Sequence, residues 1–146
     1  VMTNTPAIAA ALTLSTDVEV IMTGGAVNRK LGGAIDARAV ASLEGIYPDV
    51  FVLGTCGIVA GEGVFASQAD EQVFKSRVAE RSRSIMTAAD ADKFVATAPY
   101  RIAPFSPEMT LLVEAGNPNE LTDIEAAGTR IVRLADLSAG ATHEQH

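Results

Sequence analysis

Cysteine occurs once, as Cys56, and histidine only twice, as His143 and His146 at the very end of the chain. A single cysteine excludes an internal disulfide and fits a reducing cytoplasm. With no histidine near it in the sequence, Cys56 has no obvious base, so a Cys-His dyad is disfavoured, as is a histidine metal site. No apolar run is long enough to span a bilayer, and no signal-peptide pattern opens the chain. Basic residues are too few to outweigh the acidic ones: 11 Lys and Arg stand against 18 Asp and Glu, a net charge of −7. Without a basic cluster, such a chain is a poor candidate for gripping nucleic-acid phosphates by itself. Repeats, low-complexity tracts and dividing linkers are absent. Neither a Walker loop nor GxGxxG is present.

What is present is ordinary globular composition, 48% hydrophobic and 20% charged over 146 residues. That is enough for one domain with a substantial core. We place this domain at residues 1–135 and expect a flexible, small and polar tail over 136–146. Val1-Met2-Thr3-Asn4 reads as a strand end without its lead-in, so the chain is expected to be a fragment.

The organising stretch is Val50 to Leu53 followed by glycines at 54, 57, 61 and 63. A short apolar, β-branched run bounded by turn signals predicts a strand buried on both faces, in the middle of a sheet. The glycines after it predict either a flexible turn or a loop whose backbone amides approach a ligand. Around this stretch, Asn4 or Thr5 with Pro6 predicts a helix start, and the helix runs to about Leu14. Val18 to Met22 predicts a strand ending in Thr23-Gly24-Gly25, then a loop over 26–34. Asp36 predicts a cap for a helix through Val40, Leu43 and Tyr47. Residues 68–83 predict the longest helix, with Arg77, Arg81 and Arg83 on its solvated side. Strands are predicted at Ser84 to Ala88, Thr110 to Glu114 and Arg130 to Leu134. A proline-rich ordered loop with room for one strand-like turn is predicted over 94–107, and a short helix over 119–127 with Asn119 as cap and Gly128 as stop.

Strands alternating with helices predict an α/β fold with a mostly parallel sheet flanked by helices. Ligands in such folds sit beyond the carboxyl ends of the strands. The loops there are Thr3 to Thr5, Thr23 to Gly25, Gly54 to Gly63 and Ala89 to Lys93, and six of the nine glycines in the first 93 positions lie in them. Cys56 is either a nucleophile or, as we prefer, a small residue beside a ligand or in the core. Glu71 and Lys75, four apart on one helix face, read by spacing as a surface ion pair. Their functional reading is a lysine aimed at an anion and a carboxylate accepting from hydroxyls. Lys93, beside Asp90 and Asp92, has the same two readings.

The segments TNTPAIAAAL, VEVIMTGG, DVFVLGTCGI, DEQVFKS, AADADKF and TLLVEAG occur in this order. Together they resemble the effector-sensing domain of the deoxyribose-operon-repressor (DeoR) type of bacterial transcription regulator, over roughly residues 1–135. The resemblance implies a fold related to sugar-phosphate isomerases and coenzyme A transferases. It implies a non-catalytic, cytoplasmic and homo-oligomeric protein without metal or cofactor, which binds a phosphorylated sugar or polyol. DNA would be reached only through a helix-turn-helix domain outside this chain. The implied effector-binding residues are Asn4, Thr23, Gly24, Gly25, Gly54, Thr55, Cys56, Gly57, Glu71, Lys75, Asp90 and Lys93. The family's first strand and its phosphate loop would precede Val1. Many relatives carry Asp at the position of Cys56, so the chain's ligand preference is expected to differ. An active isomerase with Glu71 or Asp90 as base, and a module serving only oligomerisation, are the competing readings.

Overall fold

The computed structural model describes residues 1–15, 17–114 and 118–134. It divides into two compact units, Val1–Ile46 and Tyr47–His146. The expected tail at 136–146 lies outside the described residues.

In the first unit, strand β1 (Met2–Thr3) leads into helix α1 (Pro6–Ser15), then β2 (Ile21–Met22), β3 (Val27–Asn28), β4 (Gly33–Ala34) and helix α2 (Ala37–Ala41). Strands β1 and β2 pair in parallel, and β3 and β4 antiparallel. The predicted strand from Val18 is thus shorter, and the predicted 26–34 loop is a small hairpin. Its turn is closed by the Asn28 side chain, which accepts from the amides of Lys30 (3.0 Å) and Leu31 (3.2 Å). Such short-range side-chain turns carry no hydrophobic period, so pattern reading passes over them. Asp36 caps α2 as expected, its carboxylate accepting from the Ala39 amide at 3.1 Å. The helix stops at Ala41, well before Tyr47, where the Ser42 hydroxyl turns back onto the Ala39 carbonyl at 2.7 Å.

The second unit runs β5 (Val50–Leu53), β6 (Gly57–Val59), β7 (Gly63–Ala66), α3 (Ala69–Arg81), β8 (Ser84–Ala89), α4 (Ala91–Val95), β9 (Tyr100–Ala103), β10 (Met109–Val113), α5 (Pro118–Ala126) and β11 (Arg130–Arg133). Four strands form a wholly parallel sheet in the order β11-β10-β8-β5, and three form an antiparallel sheet in the order β6-β7-β9. The α/β architecture with a mostly parallel sheet is therefore as the alternation of elements predicts. Side chains on one face of the parallel sheet build the core: Leu53, Ile85, Met109, Leu111 and Val113 pack with Val64, Ala66, Ile102, Phe105, Leu121 and Ile124. The period of two along β8, with Ile85, Thr87 and Ala89 buried and Met86 and Ala88 exposed, is the signature of a strand covered on one side.

β5 corrects the expectation of a strand buried on both faces in mid-sheet. In its four-stranded sheet it stands at the edge, paired among the described residues with β8 alone. Leu53 is 2% exposed, but Val50 is 52% and Val52 77% exposed. An unbroken apolar run is equally compatible with one covered face, and composition cannot tell which. The predicted Gly54 to Gly63 loop is mostly the β6–β7 hairpin, and the predicted 94–107 loop contains strand β9. Asn119 lies inside the first turn of α5, not ahead of it. The α3 helix is the longest, as predicted, with Asp70 and Glu71 in its first turn and Arg81 in its last, a favourable arrangement for the helix dipole. The predicted end at residue 83 overshoots, since Ser82 closes the helix and Arg83 lies beyond it; all three arginines serve the surface, Arg77 pairing with Glu80, Arg83 with Asp49, and Arg81 lying 5.9 Å from the centre of the Tyr47 ring.

Two substitutions test this packing. Thr87 is 1% exposed and its hydroxyl has no hydrogen-bond partner among the described residues. Thr87→Val keeps the shape and removes the unpaired group, so chemical denaturation should show a gain of about 1 kcal/mol. Gly63 has φ +137°, and a Cβ there would lie 2.1 Å from the Ala103 carbonyl oxygen. Gly63→Ala should cost about 3 kcal/mol or more, since both the conformation and the strand contact forbid a side chain.

Candidate functional site

The four parallel strands of the second unit end at Leu53, Ala89, Val113 and Arg133, on one edge of the sheet. The segment Gly54 to Cys56 and the capping residue Asp90 therefore emerge on that edge from neighbouring strands. Helix α3 packs on β9, β7 and β5 and brings Glu71 and Lys75 to the same segment. Glu71 joins Phe74 and Val78 on the buried face of the helix and is itself only 3% exposed.

A buried carboxylate requires a counter-charge. The Lys75 ammonium supplies it, 2.5 Å from Glu71 Oε1, and also donates to the Gly54 carbonyl at 2.6 Å. Side-chain exposures of 18% for Lys75 and 4% for Glu71 overrule the reading, favoured by spacing alone, of a solvated surface pair. The second carboxylate oxygen is served more weakly. Ser67 Oγ donates to Oε2 from 3.5 Å, and Cys56 Sγ lies 3.9 Å from both oxygens. Ser67 was not among the predicted residues. It lies between β7 and the start of α3, where no helical spacing in the sequence points to it.

Thr55 and Gly57 are built into the fold. The Thr55 hydroxyl lies 2.8 Å from the Gly57 carbonyl and 2.9 Å from that of Phe65, and accepts from the Phe65 amide at 3.3 Å. The Cys56 amide donates to the Phe65 carbonyl at 2.9 Å. A Cβ on Gly57 would meet the Ala96 carbonyl oxygen at 2.7 Å, so a glycine lets β6 approach the chain after α4. Asp90 caps α4, its carboxylate accepting from the Lys93 amide at 3.2 Å, and Lys93 is half-buried. A cleft of about 380 Å³ lies between Ile58 to Ala60, Phe94, Ala96 to Ala98 and Glu120. Its lining is mostly apolar, and it contains none of the predicted residues.

The first unit carries the remaining four. Asn4 donates through Nδ2 to the Ala34 carbonyl at 2.9 Å and accepts through Oδ1 from Thr5 Oγ1 at 3.2 Å. Thr23 is 6% exposed, and its hydroxyl has no partner among the described residues. The Gly24 amide donates to Ser42 Oγ at 3.2 Å, and the Ala26 amide to Asp36 Oδ2 at 3.1 Å. Gly25, at φ +105°, turns the chain so tightly that a Cβ would sit 2.2 Å from Asp36 Oδ1. Asp36 thus organises the turn from below, and the Ala26 and Ala39 amides, followed by Arg38, hold its carboxyl below the usual range. Among the described residues, no group of three or more His, Cys, Asp and Glu is placed to hold a metal ion. No described helix is long and apolar enough to cross a membrane.

Removing Lys75 alone leaves Glu71 as an uncompensated buried charge. Lys75→Met should therefore cost about 3 kcal/mol in urea unfolding, and Glu71→Gln in the same chain should recover most of it. Asp36 sets a pH dependence. Its folded carboxyl titrates below the ordinary 3.8, so its stabilisation is complete above that value and fades as pH falls through the lowered one. The melting-temperature gap between the wild type and Asp36→Asn should be full at pH 6 to 7 and shrink at about pH 3.

Residues 1–114 match the family described as the DeoR C terminal sensor domain. The chain is also 27% identical over 136 residues to a protein of Escherichia coli O157:H7 named as an aga operon transcriptional repressor. That alignment takes in 92% of this chain and 51% of the relative, so the chain spans about half the length of the curated protein it matches. With the family match extending over most of its residues and the parallel sheet it calls for in place, the chain belongs to the DeoR C-terminal sensor domain family.

Proposed function

We propose that this chain is the part of a repressor that senses a phosphorylated sugar or polyol and binds it without turning it over. The observation that carries the reading is the Glu71–Lys75 pair, buried at the carboxyl edge of the sheet and fastened to the Gly54 carbonyl. A pair so placed is costly to build and contributes little to stability over an apolar alternative, which argues for a role in recognition. Beside it, the Gly54 to Gly57 segment with Cys56, and Asp90 with Lys93, are the proposed effector contacts of the second unit. Asn4, Thr23, Gly24 and Gly25 are those of the first. Lysines and backbone amides suit a phosphate, and carboxylates and a carboxamide suit hydroxyls.

In this reading effector binding changes how the whole repressor holds DNA, which it contacts through a helix-turn-helix domain elsewhere in the protein. Action in the cytoplasm and assembly with further copies of the chain belong to the same proposal. A panel of phosphorylated sugars and polyols followed by thermal denaturation tests it. A ligand at 100 times its Kd should add about 2.7 kcal/mol, on the order of 8 °C for a domain of this size. Unphosphorylated sugars should do less. A flat response to every phosphorylated compound refutes the reading. Interconversion of isomers that vanishes with Glu71→Gln would replace it with an isomerase.

A further inference from the structure

The geometry points to a finer assignment, resting on the reading above: the Glu71 end of the site reads an uncharged hydroxyl of the effector, and Cys56 keeps it selective for hydroxyl over ammonium. The two oxygens of Glu71 are not equivalent. Oε1 takes the Lys75 ammonium at 2.5 Å, whereas among the described residues Oε2 has Ser67 at 3.5 Å, and the Cys56 thiol lies 3.9 Å from both oxygens. The Ser67 contact is far longer than the roughly 2.5–2.7 Å of a hydroxyl bound to a carboxylate, and a thiol is a weak donor. A nearly buried oxygen is thus left with acceptor capacity that a ligand hydroxyl can fill, in surroundings where the bond is stronger than in water.

Charge decides which donor fits. One carboxylate and one ammonium cancel, and Cys56 adds no formal charge. A ligand ammonium would bring a second cation to a carboxylate already neutralised. A carboxylate in place of the thiol would lie about as close to Glu71 as Sγ does, 3.9 Å. A second carboxylate so close to Glu71 would ionise most readily with a further cation beside it, so an ammonium would be favoured. Lys75, engaged with both Glu71 and the Gly54 carbonyl, holds the carboxylate in position.

Thermal titration of the chain at about pH 6.5, where sugar amines are protonated, tests this. The probes are the 6-phosphates of glucose, galactose and fructose, and of glucosamine and galactosamine. At least one neutral-sugar phosphate should bind about tenfold more tightly than its amino counterpart. Cys56→Asp should reverse the order, while Cys56→Asn, which adds polarity without charge, should keep it. Glu71→Gln should weaken the neutral-sugar phosphate about tenfold and should not favour the amino compound, since it leaves the Lys75 cation uncancelled. Equal binding of both classes by the wild type overturns the assignment and leaves the sensing function standing. An order unaltered by Cys56→Asp in a folded variant also overturns it. If Cys56→Asp does not fold, loss of the preference in Cys56→Asn overturns the assignment and its retention supports it. A chain that answers none of the five but does answer another phosphorylated sugar or polyol overturns the finer assignment and leaves the sensing function standing.

Discussion

A carboxylate with 3% of its residue surface in contact with solvent can remain charged only beside a cation. In the second unit that constraint ties three pieces of chain together. Glu71 lies on the inward face of α3, Lys75 one turn later bridges it to the Gly54 carbonyl, and Gly54 is the first residue beyond β5. The ion pair thereby fastens the longest helix to the carboxyl edge of the parallel sheet. The arrangement sacrifices the stability an apolar pair would offer at the same place. It also leaves a polar group at the edge where parallel sheets receive ligands.

The glycines divide into two kinds. Gly57 and Gly63 are needed because carbonyls of Ala96 and Ala103 come where a side chain would stand. They bring strands and connecting segments together and make the small antiparallel sheet possible. Gly54 places its carbonyl against Lys75, with room around it. In the sequence all three look alike, as a glycine-rich run after an apolar strand. The first unit shows a parallel economy. Its Thr23-Gly24-Gly25 turn is held by Asp36 and Ser42, which already occupy the amides of Ala26 and Gly24. A turn that glycine alone predicts as open to a ligand is in large part supported from within the protein.

The sequence by itself determined the class of fold, the parallel order of strands and helices, the capping role of Asp36, and the family. These follow from periodicity, cap chemistry and the succession of segments, which are local and written along the chain. It also named Glu71 and Lys75, but as a pair whose spacing alone favoured the solvent. Burial decided otherwise, and burial depends on which face of α3 meets β7 and β9. The tertiary structure alone placed β5 at the edge of its sheet with Val50 and Val52 uncovered, turned glycines 57 and 63 into packing residues, and brought Ser67 and Cys56 up to the Glu71 carboxylate. Each of these depends on contacts between residues distant in the chain or on opposite sides of a turn, and no local pattern encodes which atoms will meet.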